Sequence, residues 1–375
     1  MRLALGVLDK LSAGDGSGAV EDYARLFYAL RSAGSRSLGE WLDGRLRDRE
    51  SPYAALAERG GEDPALEAAA RRDIETFTLL AELDWDQVLA EVGGKAPREY
   101  GPVLANLPRW RGSSPFSFAE LTEFYRANGA GLFARHRAFL WEDGALCPVE
   151  QPDCPGADEM LGYELQRNRV IANTRAMLEG NLVNNVLLYG DSGTGKSATV
   201  KNLLTLPGFE ALRLIEVQKE GLADLPRLIR TLGGRRLKFI LFIDDLAFDQ
   251  DDKTYSALKT ILEGGLERRP ANVAVYATSN RRRLVRQTFS DRAGDEVDAS
   301  ETIQEKTSLS DRFGLRIPYL ALNQAEFLEL VEGMAEQAGI ALDRDSLRAE
   351  AVKWEMRNPG RTPRTAKQFI ASLSL

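Results

Sequence analysis

An apolar run, Asn185-Val186-Leu187-Leu188-Tyr189, passes directly into Gly190-Asp191-Ser192-Gly193-Thr194-Gly195-Lys196-Ser197-Ala198. The second part satisfies G-x-x-x-x-G-K-[ST], the spacing of a phosphate-binding loop. Glycines let the backbone turn tightly and bring successive N–H groups onto phosphate oxygens. Lys196 is expected to reach β- and γ-phosphates, and the Ser197 hydroxyl to ligate Mg²⁺. The apolar run before the loop reads as a buried strand and the segment after it as a helix, the context such a loop requires.

Further along the chain, four more short apolar runs alternate with helical stretches: Arg213–Val217, Phe239–Ile243, Val273–Thr278 and Leu315–Ala321. Continuous apolar strands separated by helices predict a parallel sheet covered on both faces, an α/β fold. The run Phe239–Ile243 ends in Asp244-Asp245. A carboxylate at the C-terminal end of a parallel strand faces the ligand crevice, so Asp244 is the expected second Mg²⁺ anchor and Asp245 the group that polarises the attacking water. The run Val273–Thr278 leads to Ser279-Asn280, where a neutral amide can hold that water in line. Arg312, in Ser308-Leu309-Ser310-Asp311-Arg312-Phe313-Gly314, suits insertion into a neighbouring subunit's site. Arg364, in Gly360–Ala366, would reach back to the γ-phosphate.

After Asn323 the strands stop. Asn323 with Glu326 reads as a capping box, Gly339 as a helix end, and Asp343–Arg357 and Arg364–Leu373 as further helices, making a small helical tail over 322–375. Upstream, residues 1–143 carry helix starts at Ser37 with Glu40, Ser51-Pro52, Asp63-Pro64, and Ser117 with Glu120. Tyr23, Leu26, Phe27 and Leu30 recur at helical spacing as a core stripe. Between the two parts, 144–158 holds Pro148, Pro152 and Pro155 and reads as a linker, leaving 159–321 for the sheet domain. Two or three domains suit a chain of 375 residues.

Composition narrows the chemistry. A single histidine, His136, and two cysteines, Cys147 and Cys154, exclude multi-histidine zinc sites and a disulfide framework, and favour a reducing, cytoplasmic setting. The apolar start Met1–Leu8 is too short for a secretory leader, and no run reaches membrane-spanning length. The net charge is −7, with −6 in residues 1–150 and −1 in the remainder. Bulk charge therefore gives nucleic-acid binding no support, and Arg281-Arg282-Arg283 is the local cluster that would serve it. Arginine outnumbers lysine 38 to 11, yet few of those arginines have an evident task.

In this order (phosphate loop, acidic strand end, Asn280, Arg312, helical tail with Arg364) the chain resembles the AAA+ P-loop ATPases over roughly Leu161–Leu375. More narrowly it is similar to the bacterial domain-of-unknown-function 815 family, through Asn184–Gly190, Asp244-Asp245-Leu246, Leu262-Glu263-Gly264-Gly265, Tyr276–Arg282 and Ser308–Gly314. The resemblance implies a five-stranded sheet in the order 5-1-4-3-2, a helical lid, and assembly into a ring or arc. It implies an ATP-hydrolysing, Mg²⁺-dependent switch that remodels or loads a partner protein, with Asn280 as first sensor, Arg312 as arginine finger and self-association contact, Arg364 as second sensor, and Arg361 in reserve. Gly162 and the helix after it would pack beside adenine. Two other readings stay open at this stage: a nucleic-acid-associated relative of replication initiators and helicase loaders, and an ATP-binding interaction module with little turnover. One departure bears on rate. Most members carry Asp-Glu at the acidic strand end, and Asp245 is one methylene shorter, which predicts slow hydrolysis.

Overall fold

The computed structural model describes residues 1–110, 112–247, 258–259, 261–262, 269–280, 309–358 and 360–373. Arg281–Arg283, Glu263–Gly265 and Ser308 lie outside the described residues. The chain divides into two units, Met1–Arg135 and His136–Leu375.

The first unit is helical: α1 (Arg2–Ser12), α2 (Gly16–Ser32), α3 (Leu38–Asp48), α4 (Pro52–Arg59), α5 (Pro64–Glu82), α6 (Trp85–Lys95), α7 (Gly101–Asn106), α8 (Phe118–Asn128) and α9 (Leu132–Arg135). The expected starts are made by side chains accepting from freed backbone N–H groups: Ser37 from Glu40, Ser51 from Ala54, Asp63 from Ala65 and Leu66, and Ser117 from Glu120. The Ser37 box is only half closed, because the Glu40 carboxylate accepts from Arg36 rather than from Ser37. Tyr23, Leu26 and Leu30 are buried on one face of α2, and Tyr23 stacks on Trp110 with ring centroids 5.3 Å apart.

The second unit is built on one sheet. Its strands are β1 (Ala138–Glu142), β2 (Ala145–Pro148), β3 (Val186–Gly190), β4 (Leu212–Val217), β5 (Lys238–Ile243), β6 (Val273–Ser279) and β7 (Leu315–Tyr319), in the spatial order β2-β1-β4-β5-β6-β3-β7. Helices α10 (Glu164–Leu178), α11 (Lys196–Asn202) and α12 (Leu225–Leu232) connect them. All five expected strands form, and β3 to β7 run parallel in the order that the resemblance implies. Every residue of β6 is buried, as a central strand between β5 and β3 requires.

Among the described residues the sheet has seven strands rather than five. Residues 138–148, expected to close the helical domain and begin a linker, instead form an antiparallel hairpin, and β1 pairs in parallel with β4 through Ala138 with Leu214 and Phe139 with Ile215. Asp143 and Gly144 form its two-residue loop with φ of 49° and 73°. Positive φ at both positions matches the right-handed twist of the flanking strands, and Asp-Gly is a favoured pair for it. Pro148 is tolerated because it is the last residue of an edge strand, where one N–H fewer costs no ladder bond.

The tail folds as three helices, α13 (Gln324–Gln337), α14 (Arg344–Arg357) and α15 (Pro363–Leu373). Asn323 and Glu326 close the expected capping box reciprocally, and Asp343 caps α14. Phe327, Leu330, Val331, Leu347, Ala351 and Phe369 make its core. On its surface Glu332 accepts a two-pronged pair of bonds from Arg344, at 3.0 and 2.9 Å, and a further one from Arg348. Those guanidinium bonds hold the Glu332 carboxyl down to about 2. The charged form is thus favoured in the fold, so its stabilisation is present above the ordinary carboxylate value and is lost as pH falls towards 2. Glu332→Gln is expected to lose about 1 kcal/mol at pH 7. Urea midpoints of variant and wild type should converge between pH 4 and pH 2.

Candidate functional site

The phosphate loop leaves β3 at Gly190, which has φ of 136° and whose added Cβ would lie 2.2 Å from the Tyr319 carbonyl oxygen. Only glycine fits there. Asp191 then anchors the loop to the end of β7: its N–H donates to the Tyr319 carbonyl at 2.9 Å, and its carboxylate accepts from the Ala321 N–H at 2.7 Å. Thr194 donates to the Asp191 carbonyl at 2.8 Å, tightening the turn. Gly193 and Gly195 take φ of 78° and 90°, the left-handed region that lets a loop curl around an anion.

Lys196 opens α11 and folds its ammonium back under the loop. Nζ donates to the carbonyls of Gly190 at 3.2 Å and Asp191 at 2.7 Å, and to Asn280 Oδ1 at 2.9 Å. Burial pulls its pKa below the usual lysine value, while the charges of Asp191, Asp245 and Asp244 work the other way. The Asn280 amide Nδ2 in turn donates to Asp245 Oδ1 at 2.8 Å. Lysine can only donate and a carboxylate can only accept, so this amide has one orientation that satisfies both. The result is a chain of contacts from cation to amide to carboxylate at the head of β3, β5 and β6.

Next to it, Ser197 Oγ donates to Asp244 Oδ1 at 2.6 Å. Among the described residues no group of three or more His, Cys, Asp or Glu side chains is placed to hold a metal ion. A hydroxyl and one carboxylate are instead hard oxygen donors of the kind that hold Mg²⁺ together with substrate phosphates and water. The donor set fits that ion.

Thr278 has a part that the sequence reading missed. Its hydroxyl accepts from the Asp245 N–H at 2.9 Å and donates to Asp244 Oδ1, and its carbonyl accepts from the Leu246 N–H at 2.7 Å. Asp245 itself has φ of 49°, uncommon for a residue with a side chain. The signal that could have found Thr278 is the strand's period of two, which puts it on the same face as Asn280.

These residues line one cleft of about 500 Å³, whose wall includes Ser192 to Thr199, Asp244, Asp245, Thr278, Asn280 and Arg364. Gly190 and Asp191 stand behind the wall as anchors. From the tail, the Arg364 N–H donates to the Gly193 carbonyl at 3.2 Å, and Cβ of Arg364 would be 3.0 Å from a Cβ placed on Gly193. Arg361 is held away by Glu355, at 2.6 Å. Arg312 sits exposed in the turn ahead of β7 and does not line this cleft. At the opposite end, Gly162, Tyr163 and Met334 complete the wall. Tyr163 donates to the Leu320 carbonyl at 2.6 Å and stacks on Tyr319, whose hydroxyl is 2.9 Å from Thr199 Oγ1. Burial pushes the Tyr319 phenol up to about 12, so this column stays neutral at physiological pH.

Among solved structures, the Thermotoga maritima RuvB Holliday junction branch migration motor is 18% identical with a TM-score of 0.36, covering 59% of this chain and 63% of its own. The Aeropyrum pernix ORC1 protein, solved in complex with DNA, is 17% identical with a TM-score of 0.40, covering 58% of this chain and 60% of its own. The chain thus spans less than two thirds of the length of either neighbour. No curated protein matches it. Among the described residues no helix is long and apolar enough to cross a membrane. The model of the family described as "Protein of unknown function (DUF815)" matches residues 134–374, nearly the whole of the sheet-bearing unit and more than half of the chain. The sheet order, the loop and the acidic strand end are those expected of an AAA+ P-loop architecture, and the chain belongs to the DUF815 family.

Proposed function

We propose that this protein binds ATP with Mg²⁺ and hydrolyses it, working as an AAA+ switch in which assembled copies remodel or load a partner protein. The observation that carries the reading is the continuous contact from Lys196 through Asn280 to Asp245, beside the Ser197–Asp244 pair. It puts a cation, a neutral amide and a carboxylate at one point in front of a phosphate loop.

Each residue then has a task. Backbone N–H groups of Gly193 to Ser197 and the Lys196 ammonium take the phosphate oxygens. Ser197 and Asp244 would hold Mg²⁺, which neutralises charge developing on the β- and γ-phosphates. Asp245 accepts the proton of the attacking water, and Asn280 fixes the carboxylate's orientation while marking the water's position. Arg364 brings the tail helices to the phosphate loop, so the tail is placed to respond to what the loop holds. Arg312, exposed and outside its own cleft, would serve a neighbouring copy as an arginine finger.

The test is phosphate release by the full chain with ATP, with Mg²⁺ or with chelator, across a range of protein concentrations. Turnover is expected to need Mg²⁺ and to rise with assembly. Arg312→Ala is expected to lose about 1,000-fold in turnover while keeping ATP affinity. A monomer that hydrolyses ATP as fast as the assembled protein would remove the finger assignment.

A further inference from the structure

We propose that Thr278 is the positioning residue for both carboxylates of the acidic pair, setting the affinity of the Asp244 oxygen site for a divalent cation and the aim of Asp245. The proposal rests on the nucleotide-binding reading above and adds a residue to it.

The geometry is specific. Thr278 is buried at the end of β6, and three contacts reach from it to the turn that carries Asp244, Asp245 and Leu246. Because the Asp245 N–H donates into Thr278 Oγ1, that oxygen's own proton must point elsewhere. The Asp244 carboxylate is the acceptor within reach. The hydroxyl is therefore a fixed donor to Asp244 rather than a free rotor. Asp244 Oδ1 also receives Ser197 Oγ at 2.6 Å, so its rotamer is held from two sides. Asp245 gains in a different way. Its backbone is left-handed, with the N–H anchored on Thr278 Oγ1 at 2.9 Å and a longer contact of 3.2 Å to Asp244 Oδ1, and its side chain is held by Asn280. Thr278 near the end of β6 and Asn280 just past it, two residues apart, thus hold two adjacent carboxylates of the turn that follows the neighbouring strand β5.

Thr278 touches neither nucleotide nor water in this scheme. Its effect is transmitted through the carboxylates, and partners of that kind change metal affinity or activity by about 10- to 100-fold when lost. Valine keeps the shape and β-branching and removes only the hydroxyl's bonds. Serine keeps the hydroxyl.

The experiment compares wild type, Thr278→Val, Thr278→Ala and Thr278→Ser as full chains. Mn²⁺ binding in the presence of ATP is followed by electron paramagnetic resonance, alongside the Mg²⁺ midpoint for turnover, kcat, KM and thermal melting. Valine and alanine are each expected to weaken Mn²⁺ binding and raise the Mg²⁺ midpoint about tenfold or more, and to lower kcat. KM for ATP at saturating Mg²⁺ should stay within about twofold, because Lys196 and the loop are untouched. Serine should return both metal measures to within about twofold of wild type. The alanine variant keeps the comparison readable if the valine protein does not fold. Metal midpoints unchanged in the valine or alanine protein, or not restored by serine, would overturn the proposal. Wild type that binds Mn²⁺–ATP without hydrolysing it would overturn the turnover reading alone, since the metal measurement still reports on Thr278. Wild type that binds no Mn²⁺–ATP would overturn both.

Discussion

Lys196→Ala is expected to lower ATP turnover by about 100- to 1,000-fold, because it deletes the ammonium that the proposed function assigns to the phosphates and that lies inside the loop, against the Asp191 carbonyl. The effect should appear in binding as well as in turnover, since the charge acts on bound and reacting phosphates alike. Burial already lowers the Lys196 pKa, so the fold bears a cost for keeping this cation under the loop. Removing it relieves that cost and strips Gly190, Asp191 and Asn280 of a donor, two effects of opposite sign. Melting temperature should therefore change little while nucleotide affinity, read by equilibrium titration, collapses. Wild-type turnover in the alanine protein would sink the loop assignment.

Asp245→Asn is expected to separate binding from chemistry. The substitution is close to isosteric, and asparagine adopts φ near 49° at least as readily as aspartate. The asparagine side-chain oxygen can still accept from Asn280 Nδ2, and the backbone N–H keeps its anchor on Thr278. What disappears is the acceptor for the water's proton. A general base contributes about 100- to 10,000-fold, so turnover should fall by that factor with ATP affinity and melting temperature close to wild type. Single-turnover measurement on the assembled protein distinguishes this outcome from slow product release. An Asp245→Asn protein that hydrolyses ATP normally would move the base elsewhere. A variant that binds ATP without hydrolysing it would be the reagent for capturing the partner protein of the proposed switch.

Much of this could be seen in the linear order of residues. The loop, the acidic pair, Asn280 and Arg364 come together in one cleft. Each sits at the C-terminal end of a strand or at a helix start, and parallel sheets gather those ends on one edge. Capping at Ser37, Ser51, Asp63, Ser117, Asn323 and Asp343 was readable for a similar reason: a side chain two or three residues away satisfies the backbone, so the information is local. The hairpin over 138–148 was half legible. Asp143-Gly144 announces its turn, but the prolines of the following segment masked it, and nothing local says that β1 pairs with β4, far along the chain.

The phosphate loop, the five strands and the helical tail are legible from the residues alone, because glycine geometry, continuous apolar runs and caps act over a few residues. The order of the strands followed from the family resemblance, since it depends on pairing between distant segments. It took the folded arrangement to show that Thr278 reaches Asp244 and Asp245 and that the Arg364 N–H touches Gly193. A period of two tells which side chains share a face of a strand. It does not tell which atoms of a neighbouring strand they meet, since that depends on register, and register is set by pairing across the sheet.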